Sequence, residues 1–210
     1  EIQCVQTDHE GNIWIDAKNG AYKISPYILD FKHYDNTNFQ NEGIDALSPG
    51  PDGSLWSLGG QYIYLLKNGI FYSYDIHQPD RVFKNIHGLV NNTVIFGEYF
   101  YDWYVMTGIT TNPVNKKITC NKLFRLPADG HLSVDKTRSE ISLNEFYKKE
   151  LTSFTSLNGF RETGRKPIGV ALNVFYDVNN DLAVIKMNGS FKIQDEKLVP
   201  SRLLNTLPRI

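Results

Sequence analysis

Short apolar runs alternate with tight polar turns along most of the chain. In TDHEGNIWIDAKNGAYKI, residues 7–24, the polar turn HEGN leads into IWI, a second turn KNG follows, and AYKI closes the unit. The alternation at Ile13 and Ile15 marks a strand with one buried face. The Gly-Asn and Asn-Gly pairs accept positive φ and reverse the chain in few residues, so the stretch predicts a tight antiparallel meander. Elsewhere alternation gives way to strands apolar on both faces, as in Leu182-Ala183-Val184-Ile185. Such strands need cover on both sides, which a stack or ring of meanders supplies and a single one does not.

The unit repeats. Shifted by roughly 42 residues, Gly11 falls on Gly53, Ile13 on Leu55, Trp14 on Trp56 and Tyr22 on Tyr64. Near four times that shift, Asp8 meets Asp177, Ile13 meets Leu182, Gly20 meets Gly189, Tyr22 meets Phe191 and Ile24 meets Ile193. A blurred copy with its own tryptophan, Trp103, spans residues 87–108, and residues 121–134 supply the strand and turn that follow. At the remaining position, SLNEFYKKELTSF (142–154) places Leu143, Phe146, Tyr147 and Leu151 at helical spacing behind a capping Ser142, which predicts a short helical insertion near 142–152. The expected fold is all-β: four-stranded antiparallel meanders forming β-propeller blades, in a partial propeller of four to five blades, with a closed ring of four or five blades as the alternative. The repeats fall at about 2–43, 44–86, 87–140 and 168–210, with the insertion at about 141–167, in one propeller domain or segment over 1–210.

The repeat resembles the two-component regulator propeller repeat of Bacteroidetes-type hybrid two-component systems. The resemblance rests on Ile2, Asp8, Gly11, Ile13, Trp14, Ile15, Gly20 and Tyr22 in the first copy, and on Ile44, Asp52, Gly53, Leu55, Trp56 and Tyr64 in the second. Gly88, Leu89, Asn92, Val94, Trp103 and Thr107 carry it in the third, and Asp177, Leu182, Gly189 and Phe191 in the last. The last copy departs from the pattern with Ala183 in place of the tryptophan, and the first with Ala17 where the family often has Thr. The resemblance implies a periplasmic, ligand-sensing segment of a membrane-anchored histidine-kinase regulator, responding to a glycan fragment. Its partners are then an oligosaccharide and the remaining blades or a second copy. A glycan-degrading propeller enzyme, hydrolase or lyase, and a purely structural interaction domain are the alternatives.

Composition narrows these choices. Charge is balanced, with 22 Lys+Arg against 23 Asp+Glu, so no nucleic-acid partner is expected. Apolar runs are short, so this segment is expected not to insert directly into a membrane. The chain opens on Glu1 rather than Met, which reads as a piece of something longer. Cys4 and Cys120 have no metal or redox spacing and read as small core residues, with a disulfide between them as the alternative.

Candidate chemistry is sparse. Trp14 and Trp56 recur at one point of the repeat, as packing residues do, whereas Tyr101 and Trp103 sit in the atypical copy and are candidate ligand contacts. Asp8, Glu10, Asp52 and Asp177 occupy the recurring turn, where a carboxylate caps its own backbone. Asp102 and Glu98 are the one carboxylate pair outside that pattern. NGFRETGRKP, residues 158–167, reads as a loop whose Arg161, Arg165 and Lys166 suit the carboxylates or sulfates of acidic sugars. No catalytic constellation, metal-type cluster or phosphate-cradling loop stands out, so the segment is expected to hold no catalytic residues, metal or cofactor and not to be an enzyme.

Overall fold

The computed structural model describes residues 2–8, 10–17, 20–25, 31–35, 39, 43–78, 81–98, 102–126, 130–135, 137–145, 147–177, 179–187, 189–194 and 197–201. The chain divides into two compact units, Glu1–Leu126 and Pro127–Ile210. Strands account for nearly all regular structure, and no α-helix occurs among the described residues.

In the first unit, β1 (Ile2–Thr7), β2 (Ile13–Ala17), β3 (Gly20–Ile24) and β4 (Phe31–Asp35) pair in sequence order as an antiparallel sheet. β5 (Ala46–Pro49), β6 (Leu55–Gly59), β7 (Tyr62–Lys67) and β8 (Ile70–Asp75) form a second sheet in the same way. The third contains β9 (Asn85–Leu89), β10 (Thr93–Gly97) and β11 (Trp103–Thr107). The chain then leaves it for a hairpin, β12 (Thr110–Asn112) and β13 (Lys117–Thr119), and returns as β14 (Lys122–Arg125) to complete the sheet. The hairpin adds to the second sheet, with β13 parallel to β8 and Lys117 opposite Ser73. Residues 107–123, a non-repeating excursion by sequence, thus cover a neighbouring sheet's edge. Pairing an exposed edge is a common protection against aggregation.

The first strands β1, β5 and β9 lie side by side, and the sheets stack face to face. Trp14 and Ala21 pack on Ile44, Leu47, Leu55, Tyr64 and Leu66 of the second sheet's segment. Trp56, Leu58 and Leu65 pack with Ile86, Val94 and Phe96 of the third. Trp14 and Trp56 are 4% and 5% exposed, at equivalent strand positions of their sheets. Strand register puts Val94, wholly buried, at the third sheet's tryptophan position. Trp103 instead opens β11 and belongs to a different row. Both cysteines are free, and Cys120 packs on the core, as its apolar character anticipates.

The second unit contains β15 (His131–Val134), β16 (Glu140–Glu145), β17 (Glu150–Thr155) and β18 (Arg161–Pro167) in one sheet, and β19 (Asn173–Tyr176), β20 (Leu182–Lys186), β21 (Gly189–Gln194) and β22 (Lys197–Pro200) in another. The expected helical insertion near 142–152 is therefore wrong. Ser142 and Ser153 face each other across a β-hairpin, as do Leu143 and Thr152. Leu143 and Leu151 are buried on its strands, Tyr147 is 83% exposed at its turn, and Phe146 lies outside the described residues. The helical spacing was produced by two strands and the turn between them. Leu151 packs on Val174 and Val184 of the fifth sheet, as Trp14 packs on the second.

One turn recurs in four of the sheets. Asp8 N–H donates to the Asn12 carbonyl and Gly11 N–H to the Asp8 carbonyl. Gly50, Gly53 and Ser54 repeat this, as do Asp177, Asn180 and Asp181. Asp135, Arg138 and Glu140 do so in a turn one residue longer. The fourth turn residue has positive φ each time: Gly11 80°, Gly53 76°, Asn180 65° and Arg138 56°. Arginine in that region is uncommon, and it hides this copy from a search for Gly or Asn.

Candidate ligand pocket

At the end of the first unit's sheets where this turn lies, a cavity of about 440 Å³ opens between the second and third sheets. Pro51, Asp52, Ser54 and Trp56 of the β5–β6 turn and strand form one wall, with Leu65 and Lys67 of β7. Leu89, Val90, Asn91 and Asn92 form the second wall, and Ile109, Thr110 and Thr111, leading into the β12–β13 hairpin, the third. The lining combines an indole and aliphatic side chains with hydroxyls, amides and one ion pair. Lys67 Nζ lies 2.7 Å from Asp52 Oδ2, and Ser54 Oγ donates to Asp52 Oδ1 at 2.6 Å. These contacts hold the Asp52 carboxyl below its usual range against the opposing effect of burial. The pocket therefore presents a fixed, balanced charge pair beside an aromatic edge.

Trp56 is laid into place by glycine. A Cβ on Gly88 would stand 2.4 Å from Trp56 Cδ1 and 2.7 Å from its Nε1, so the indole rests on bare β9 backbone. In the first sheet the equivalent space is filled. Asp8 Oδ2 accepts from Trp14 Nε1 at 2.9 Å and from Asn12 Nδ2 at 2.8 Å, while Oδ1 accepts from the Glu10 and Asn12 N–H groups at 3.0 and 2.9 Å. Asp177 and Asp135 likewise accept from the backbone of their own turns. The second sheet has Gly50 where the first has Asp8, and no described residue accepts a hydrogen bond from Trp56 Nε1. The sequence carried this signal: TDHEGNIW against SPGPDGSLW aligns Gly50 with Asp8, although Asp52 draws attention as the turn's acidic residue.

Arg161, Arg165 and Lys166 lie on β18, the outer strand of the fourth sheet, and not on a loop. Arg165 is held by Glu162, with Nε to Oε1 at 2.7 Å and Nη2 to Oε2 at 3.1 Å. Trp103 is 2% exposed, packed against Gly97 and near the His87 ring. Tyr101 lies outside the described residues. Of the described residues among these, none lines the cavity. The Asp102–Glu98 pair does meet, through Arg81: its Nη1 binds Asp102 and lies 3.2 Å from Glu98 Oε1, while Arg125 takes the other Asp102 oxygen. Arg81 also lies over the Tyr104 ring. With its charges paired, this network fastens the third sheet at the end away from the pocket.

The fold defines a β-propeller protein. No family model and no curated protein matches the chain. Among solved structures, it is similar to selenomethionine-substituted virginiamycin B lyase from Staphylococcus aureus, with 15% identity and a TM-score of 0.62 over 95% of this chain and 69% of that one. A streptogramin B lyase structure matches at 16% and 0.62, over 94% of this chain and 67% of that one. A catalytically inactive virginiamycin B lyase from the same organism, with quinupristin, matches at 16% and 0.63, over 99% and 71%. These likenesses correct the expectation that the segment is not an enzyme, because proteins of this architecture include lyases. At such identity they establish the fold and assign no reaction.

Proposed function

We propose that the five sheets are blades of a partial β-propeller within the periplasmic, ligand-sensing region of a hybrid two-component regulator, and that the ligand is a glycan fragment. The cavity between the second and third sheets carries this reading: an aromatic edge and aliphatic wall beside hydroxyls, amides and a charge pair suit a sugar ring, apolar on its faces and polar at its rim. The repeat's resemblance to the two-component regulator propeller repeat supplies the signalling context. Ligand transmits a signal only by binding one arrangement of the surrounding protein better than another.

Exposure supports the partial ring. Ile2, Val5 and Ile13, on the first sheet, are 63%, 54% and 40% exposed. Their counterparts Ile44, Leu47 and Leu55 are 4%, 4% and 3% exposed beneath the first sheet. A further blade, or a second copy, fits that uncovered face as the first sheet fits the second.

Calorimetric titration of the 210-residue chain with cellotriose, maltotriose, xylotriose and trigalacturonate tests the sensing reading. Saturable binding of at least one, at one site per chain, is the expected result. If none of them binds, the reading fails.

A further inference from the structure

Four copies of one turn in one chain provide an internal control. The backbone is the same in the first and second sheets: Asp8 N–H to Asn12 carbonyl at 3.0 Å, and Gly50 N–H to Ser54 carbonyl at 2.8 Å. Each is followed by a buried tryptophan on the second strand. The side chain that closes the turn differs. Asp8 in the first sheet, Asp135 in the fourth and Asp177 in the fifth turn a carboxylate inward onto their own turn. In the second sheet Gly50 brings no such group, the turn's carboxylate Asp52 accepts instead from Ser54 N–H and Oγ, and a cavity lies beside Trp56.

We propose that Trp56 Nε1–H is the ligand-reading donor of this pocket, and that an acceptor oxygen of a bound saccharide takes the place that the Asp8 carboxylate takes on Trp14. This rests on the sensing reading above and names the group that reads the ligand. Three observations converge on it. Trp56 lines the cavity at 5% exposure, so a hydrogen bond to its indole forms largely out of water, where leaving the donor unmet is costly. Asp8 Oδ2 at 2.9 Å from Trp14 Nε1 shows what an oxygen acceptor does at the equivalent position. Asp52 and Lys67 neutralise each other at 2.7 Å, so the rim offers acceptor and donor without net charge, which suits the hydroxyls of a neutral sugar. Leu65 and Ile109 supply the apolar wall on which a ring face rests.

The chain's own first turn provides the test. In Gly50→Asp/Ser54→Asn, the second turn receives the acidic and amide residues of the first. The pair is needed because a Cβ at position 50 would stand 2.3 Å from Ser54 Oγ. The new carboxylate then satisfies Trp56 from within and occupies the ligand's place. Trp56→Phe removes the donor while keeping an aromatic ring. Both are titrated with whichever probe of the four above binds the parent most tightly, and melting temperatures are measured alongside. The expected result is a Kd raised at least about tenfold in each variant, the loss of roughly one good hydrogen bond, with the grafted turn melting no lower than the parent. If the parent binds and both variants bind as well as it does, Trp56 is not the reader, while sensing stands. Tighter binding of trigalacturonate than of every neutral probe contradicts the neutral-sugar assignment. A parent that binds none of the four overturns both this inference and the sensing reading.

Discussion

Asp16 is the residue whose chemistry conflicts most with its place. It sits on β2 with no exposed surface, opposed by Cys4 and Ala21 on the flanking strands, and neither carboxylate oxygen has a hydrogen-bond partner among the described residues. Strand register gives the second and third sheets Leu58 and Phe96 there. Burial, with a smaller contribution from Asp45, pushes the Asp16 carboxyl from 3.8 up to about 7. Lys84 pairs with Asp45 and offsets part of that repulsion. The folded chain thus holds this proton more tightly than the unfolded chain. Asp16's contribution to stability is fully present below about pH 4, falls as pH rises towards 7, and is level above it. Asp16→Leu, which copies Leu58, is expected to raise unfolding free energy at pH 8 by about 1–3 kcal/mol and to flatten this slope. Denaturant titrations at pH 5, 6, 7 and 8 measure both, and an unchanged slope in the variant refutes the assignment. The sequence showed Asp16 as the polar member of an alternating strand, because alternation does not distinguish an open face from one that another sheet covers.

The β12–β13 hairpin and the β16–β17 hairpin both lay beyond what the sequence pattern showed. Gly- and Asn-bearing turns made the first, second and fifth sheets legible, since few residues accept positive φ. The fourth sheet was lost because Arg138 holds that position, its turn is one residue longer, and Ser142 stands at the tryptophan position. The missing indole is compensated by Tyr176, whose hydroxyl lies 3.0 Å from Ser142 Oγ. Pairing of β13 with β8 is a long-range event that no local pattern encodes. The hairpin is secured by Ile118, 3% exposed in the core, and by the Ser73 N–H to Lys116 carbonyl bond. Ile118→Ala is expected to cost about 2–4 kcal/mol and to speed amide exchange in β8 and β13 relative to β10. Uniform exchange across the three strands speaks against a clasp of this kind.

At the scale of the whole molecule, repetition was readable and its exceptions were not. One sheet-on-sheet contact recurs within the units, with Trp14 buried between the first and second sheets, Trp56 between the second and third, and Leu151 between the fourth and fifth. Ile2, Val5 and Ile13 of the first sheet lie on an exposed apolar face. The chain alone is therefore expected to associate as its concentration rises, and Val5→Lys/Ile13→Lys to suppress this. Light scattering decides it, and identical concentration dependence in parent and variant contradicts the docking role of this face. The function proposed for this architecture turns on one departure from the repeat, the glycine at position 50 beside an indole that its own turn does not satisfy. The most direct test follows the three indole N–H signals in a nitrogen–proton correlation spectrum while the best-binding saccharide is added. The account predicts that the Trp56 signal moves and saturates while those of Trp14 and Trp103 stay in place. A Trp56 signal unmoved at saturating saccharide contradicts it.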